Sequence, residues 1–161
     1  MRFQRTCYRA HDPQWAFEPL SGEGARLSGG RFNLKGQAAL YLTLTIEGVF
    51  LEMSHGFAHR FDPLTVCCYE VDVSDIVDLR TNAGRKKAQV TLKDLGCPWA
   101  LDLAEGREPA SWKVARRLLK EGAAGILVPS FARRADQSKH RNLVLWKWGA
   151  KLPHRITVYD P

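Results

Sequence analysis

Four places in the sequence carry residue types whose chemistry goes beyond packing. The first is Gly29-Gly30-Arg31-Phe32-Asn33, with Gly36 close behind. Two glycines ahead of an arginine let the backbone approach a ligand closely, and a guanidinium there can grip a phosphate bidentately. The spacing is neither the dinucleotide fingerprint nor the Walker motif, so a glycine turn with a solvated arginine accounts for it as well. The second is Glu52, with His55 and His59 following it. On a helix over 45–59, Ile46, Val49, Phe50, Met53 and Phe57 recur on one face. At 100° per residue Glu52 falls roughly 120° from the centre of that stripe, on the side of both histidines. That face is either solvated or turned to a cleft. E-x-x-H and H-x-x-x-H also fit a metal, although no third-ligand motif accompanies them. The third is Pro129-Ser130, closing the apolar run 125–128, where no G-x-S-x-G marks a hydrolase nucleophile. The fourth is a basic set: Arg85-Lys86-Lys87, then Lys113, Arg116, Arg117 and Lys120, then Arg133-Arg134 and Lys139-His140-Arg141.

These residues need elements to hold them. The periodicity predicts strands over 5–10, 31–34, 39–43, 65–73, 125–130, 142–148 and 155–160, with a short strand or turn at 75–79. It predicts helices over 45–59 and 109–121, the latter opened by Pro109 and stopped by Gly122. Residues 81–108 read only as short helices. The irregular stretch 11–30 holds two Pro and four Gly, and Trp15 and Phe17 predict that it is partly packed. Strands at both ends without strand–helix alternation indicate an α+β fold in a single domain over 1–161.

Composition narrows the class. With 161 residues, 45% apolar and 25% charged, the chain suits a globular domain with a real core. No run approaches the ~20 apolar residues of a membrane span. The start, MRFQRTCYRA, is too polar for a signal peptide, so a cytoplasmic location without membrane contact is expected. Cys7, Cys67, Cys68 and Cys97 fit neither a disulfide framework nor a zinc site and read as buried thiols. Charge is uneven: residues 1–80 hold 8 Lys/Arg against 10 Asp/Glu, and residues 81–161 hold 16 against 7. Such asymmetry suits a nucleic-acid surface, an acidic partner or an anionic substrate. On the 109–121 helix the cations form a solvated face, and no nucleic-acid-binding signature accompanies them.

Taken in order, Tyr8-Arg9, Pro19-Leu20-Ser21-Gly22-Glu23-Gly24-Ala25, Gly30-Arg31-Phe32-Asn33, Tyr41-Leu42, Glu52, Pro129-Ser130 and Asn142 resemble the RES family. These are bacterial toxins of type II toxin–antitoxin pairs, named for an arginine, a glutamate and a serine, and Arg31, Glu52 and Ser130 stand where that trio is expected. The resemblance is strongest over 8–52 and 125–145, and absent over 81–108.

The resemblance implies a central mixed or antiparallel sheet with flanking helices, similar to ADP-ribosyltransferase toxins. It implies NAD as substrate, with no metal, and cleavage of the nicotinamide–ribose bond by hydrolysis, phosphorolysis or ADP-ribosyl transfer to a protein. Arg31, helped by Arg9, would hold a phosphate. Tyr41 would stack on the nicotinamide, Glu52 would stabilise an oxocarbenium-like transition state, and Ser130 and Asn142 would bind substrate or orient Arg31 and Glu52. Tyr8, Gly30, Phe32 and Asn33 complete the implied NAD-binding set. The implied partner is an antitoxin with an Xre-type helix-turn-helix, which blocks the cleft and alone contacts DNA. Two other classes stand beside this one: a basic nucleic-acid-binding module in the 81–161 half, and a metal-dependent hydrolase at Glu52, His55 and His59.

Overall fold

The computed structural model describes residues 1–53 and 63–159, the Trp15 side chain excepted. His55, Phe57 and His59 lie outside the described residues, as does any continuation of the Glu52 helix past Met53.

Among the described residues seven strands form one sheet: β1 (Phe3–His11), β2 (Leu40–Thr43), β3 (Thr65–Val73), β4 (Ile76–Asp78), β5 (Gly125–Pro129), β6 (Arg141–Leu145) and β7 (His154–Tyr159). Their spatial order is β4-β5-β6-β2-β1-β3-β7. The β4/β5 pair is parallel and every other pair antiparallel, so the sheet is mixed and the class α+β, as expected. Six α-helices accompany it among the described residues: α1 (Glu23–Ser28), α2 (Ile46–Met53), α3 (Asn82–Lys87), α4 (Leu92–Leu95), α5 (Trp99–Ala104) and α6 (Ala110–Lys120).

Directly paired residues share a sheet face. The register therefore puts Cys68, Tyr8, Thr43, Asn142 and Val128 in one row across five strands, with Tyr41, Val144 and Ile126 in the next. At one end this face packs Ile126, Val128 and Val144 against Leu95, Val114, Ala115 and Leu118 of α4 and α6. At the other it is polar and lies under α2. The opposite face carries Cys7, Leu42, Tyr69, Val71, Leu127 and Leu143 in a second core, covered in part by Leu20 and Trp148. Each fully buried leucine contributes about 1.5–3 kcal/mol.

Two expectations need correction, and one question left open by helical phase is decided. Residues 31–34 are a turn with an isolated Gly30–Asn33 bridge. The buried Asn33 amide makes it one, because its Nδ2 donates to the carbonyls of Ala25, Leu34 and Gln37 and curls the chain around itself. Secondly, α2 does not bury its apolar stripe: Ile46 and Phe50 are 51% and 61% exposed, and Val49 is the large side chain it buries. The polar floor beneath α2 explains this, since Thr43 and Asn142 offer no apolar seat. Thirdly, Phe17 is 72% exposed; the 12–22 segment is held by Leu20 in the core and by Tyr69, whose hydroxyl donates to Pro19 O at 2.9 Å. Of the cysteines, Cys7 and Cys97 are buried and Cys67 and Cys68 only half-buried.

His11 Nε2 lies 2.6 Å from the Tyr69 hydroxyl. That hydroxyl's proton is committed to Pro19 O, so Nε2–H is the donor. Burial, and then the positive charge of Arg9, push His11 down to about 4. Unfolded histidine takes its proton near 6.5. Between these values the unfolded chain binds the extra proton, so the stability tied to His11 is complete above about pH 6.5 and lost as pH falls to about 4. The full loss is on the order of 3 kcal/mol. Urea midpoints should drop between pH 7.5 and 4.5, and His11→Gln should flatten that slope. An equal slope in both proteins would contradict the assignment.

Candidate active site

β1 and β2 pair only at Tyr8–Thr43, and beyond that pair the strands part. A cavity of about 390 Å³ opens there, within the range of small-molecule sites. Its walls include Tyr8 and Arg9 from β1, Tyr41 and Thr43 from β2, Glu52 from α2 and Asn142 from β6.

Glu52 reaches the cavity because of how α2 is seated. The Thr45 hydroxyl accepts from Gly48 N at 3.1 Å and caps the helix start. A Cβ on Gly48 would stand 3.1 Å from Thr43 Cβ, so the missing side chain lets α2 lie close on β2. Val49 then points into the protein, and Glu52, one turn on, shares its side. Its Oε1 accepts two short bonds, from Ser130 Oγ and from Asn142 Nδ2, both at 2.6 Å. Ser130 is itself oriented by Ala132 N, 3.2 Å from its Oγ. Both bonds fall on Oε1, and among the described residues none falls on Oε2.

Tyr41 offers the cavity its ring. Its hydroxyl donates to Asn33 Oδ1 at 2.7 Å and accepts from Phe32 N at 3.0 Å. Burial raises its pKa, opposed by the bond from Phe32 and the charge of Arg31. Arg9 is mostly buried, with one long bond from Nη1 to Ser21 O at 3.4 Å, and burial lowers its pKa.

Arg31 stands beside the cavity and does not line it. Its Nη1 donates to Cys97 O at 2.7 Å and Leu95 O at 3.3 Å, and the guanidinium lies 5.2 Å above the Phe131 ring. Burial lowers its pKa, opposed by Cys97, Glu52 and Tyr41 in that order. Arg31 and the Glu52 carboxylate are thus within electrostatic reach of one another. Gly30, Phe32 and Asn33 form the turn behind: Phe32 is 3% exposed and Asn33 wholly buried.

The structure therefore brings Tyr8, Arg9, Tyr41, Glu52 and Asn142 to one cavity, joins Ser130 to it through Glu52, and sets Arg31 alongside. Sequence reasoning missed Thr43, two residues after Tyr41 and hence on the same strand face. It also missed the 95–97 carbonyls, which carry no side-chain signal. Among the described residues no three His, Cys, Asp or Glu side chains gather as metal ligands. The cations of α6 are partly engaged locally, Arg116 with Glu108 and Arg117 with Glu121 and Ala88 O. No described helix is long and apolar enough to cross a membrane.

Fold and site together define an α+β protein whose mixed sheet holds a clamped carboxylate at a ligand-sized cavity. The RES domain matches residues 6–160, and the chain belongs to that family. Among solved structures it is similar to the crystal structure of the M. tuberculosis MbcT–MbcA toxin–antitoxin complex, with a TM-score of 0.66 and 21% identity. That likeness covers 99% of this chain and 84% of the other, and it is one of fold. No curated protein matches the chain.

Proposed function

We propose that this protein is the toxin of a toxin–antitoxin pair and breaks the nicotinamide–ribose bond of NAD in the cavity under α2. The observation that carries the reading is the state of Glu52: one carboxylate oxygen is clamped by Ser130 and Asn142 while the side chain lines a cavity floored by Tyr8 and Tyr41. Family membership and the fold shared with one partner of a toxin–antitoxin complex support it.

The chemistry fits these residues. When the C1–N bond of the nicotinamide riboside breaks, its electron pair returns to the pyridinium nitrogen and neutral nicotinamide leaves, so no general acid is needed. The ribose is left oxocarbenium-like, and a fixed carboxylate stabilises that charge. Tyr41 contributes its ring as a stacking surface, worth about 0.5–1.5 kcal/mol beyond its buried area, because its hydroxyl is already engaged. Arg31 and Arg9 supply positive charge for the diphosphate. Water, phosphate or a protein side chain then bonds to C1 and gives up a proton. NAD is the substrate, no metal takes part, and the reaction belongs to the cytoplasm. An antitoxin with an Xre-type helix-turn-helix would cover the cavity and carry any contact with DNA.

Purified protein incubated with NAD, with and without phosphate and cell protein, should release nicotinamide. Free ADP-ribose, ADP-ribose 1″-phosphate or labelled protein identifies the acceptor. NAD left intact under all three conditions would refute the reading.

A further inference from the structure

Three tryptophans donate their indole N–H to main-chain carbonyls, two of them beside Arg31 and one at Leu20. Trp112 Nε1 bonds Gly30 O at 2.7 Å, Trp146 Nε1 bonds Phe32 O at 2.8 Å, and Trp148 Nε1 bonds Leu20 O at 3.1 Å. An indole nitrogen only donates, so each is an anchor for a carbonyl. The first is placed differently from the others. Gly30 O belongs to the peptide plane just before the Arg31 Cα, and the plane just after it is held through Phe32 N by the Tyr41 hydroxyl. Two planes pinned from opposite sides set φ and ψ of Arg31. The guanidinium is then docked on Cys97 O and Leu95 O at the other end of the side chain.

We propose that Trp112 is a positioning residue for Arg31, its indole fixing the Gly30 peptide so that the guanidinium meets the substrate phosphate at the edge of the cavity. The geometry supports a dedicated contact. Trp112 comes from α6, 82 residues away, and its ring lies against Gly29: a Cβ there would stand 3.3 Å from the Trp112 ring, and Gly29 holds φ +72°. The tight turn and the indole thus fit one another. Trp112 is only half-buried, while α6 docks through Ser111, Val114, Ala115 and Leu118, so the helix keeps its seat without the indole. This inference rests on the role proposed for Arg31.

Trp112→Phe keeps an aromatic ring and removes the N–H, and Trp148→Phe removes the same kind of bond at Leu20, away from Arg31. In Trp112→Phe, KM for NAD should rise about five- to tenfold with kcat within about twofold, and Trp148→Phe should leave KM unchanged. A variant that merely unfolds in part loses kcat at constant KM. Independently of turnover, hydrogen exchange at the Phe32 amide should quicken in Trp112→Phe and not in Trp148→Phe. Unchanged exchange, or an unchanged KM in a protein that consumes NAD, would overturn the proposal. If the wild type leaves NAD intact, the exchange comparison alone decides whether Trp112 fixes Arg31, and the NAD reading is what fails.

Discussion

Glu52→Gln should lower NAD turnover by a factor on the order of 10²–10³ while leaving the fold in place. The bonds around the carboxylate make this substitution a clean one. Ser130 Oγ and Asn142 Nδ2 both donate to Oε1, and the glutamine carbonyl oxygen can accept both. The new amide nitrogen replaces Oε2, to which no described residue donates. Size, shape and both bonds are kept, and only the negative charge disappears. On the proposed mechanism that charge balances the positive ribose in the transition state, so the effect should fall on kcat. Steady-state kinetics with a melting curve decide it: Tm should move by less than about 2–4 °C, the shift expected for 1 kcal/mol in a chain of this size. Turnover within threefold of the wild type would remove Glu52 from the chemistry.

The second large effect is expected at Arg31. Arg31→Lys keeps the charge, yet kcat/KM should fall about 100-fold, or roughly 2.7 kcal/mol. One guanidinium nitrogen is already spent on the carbonyls of Cys97 and Leu95, and the plane of the group is laid over Phe131. A planar fork can make those bonds and still present N–H groups to a phosphate. A lysine ammonium is a single point: docked on the carbonyls it falls short of the substrate, and turned to the substrate it leaves the Leu95 carbonyl without a donor and the Cys97 carbonyl with Trp99 N alone. A lysine variant with wild-type kcat/KM would show that charge alone suffices and that the docked geometry is irrelevant to function.

Much of the frame was legible in the residues. Strand β3 follows directly from the β-branched and aromatic run 65–73, and α6 from Pro109, Gly122 and the cation-faced period between them. Local signals also existed where none was read. Thr91 and Asp94 form a capping box that starts α4, and Thr81 caps α3 through Gly84 N. The turn at 31–34 looked like a strand because alternation over four residues does not distinguish a strand from a turn built on a buried amide. The orientation of α2 was open in the sequence for a related reason. Hydrophobic period says which side chains share a face, whereas the neighbour beneath decides which face goes in, and here that neighbour is the polar row Thr43 and Asn142.

What the sequence determined by itself was the inventory: an α+β chain, a family likeness, and a set of residues with Arg31, Tyr41, Glu52, Ser130 and Asn142 among them. Only the tertiary structure sorted that set. Ser130 and Asn142 lie 78 and 90 residues from Glu52, and adjacent strands bring both to the same oxygen. The same strand pairing opens the cavity where β1 and β2 part, and Phe32 and Asn33 lie buried in the turn behind it. The cradle of Arg31 comes from carbonyls at 95 and 97, in the stretch with the weakest signal. Main-chain carbonyls are common to every residue, so no sequence pattern announces them, and their placement is decided by how α4 and α6 pack on the sheet.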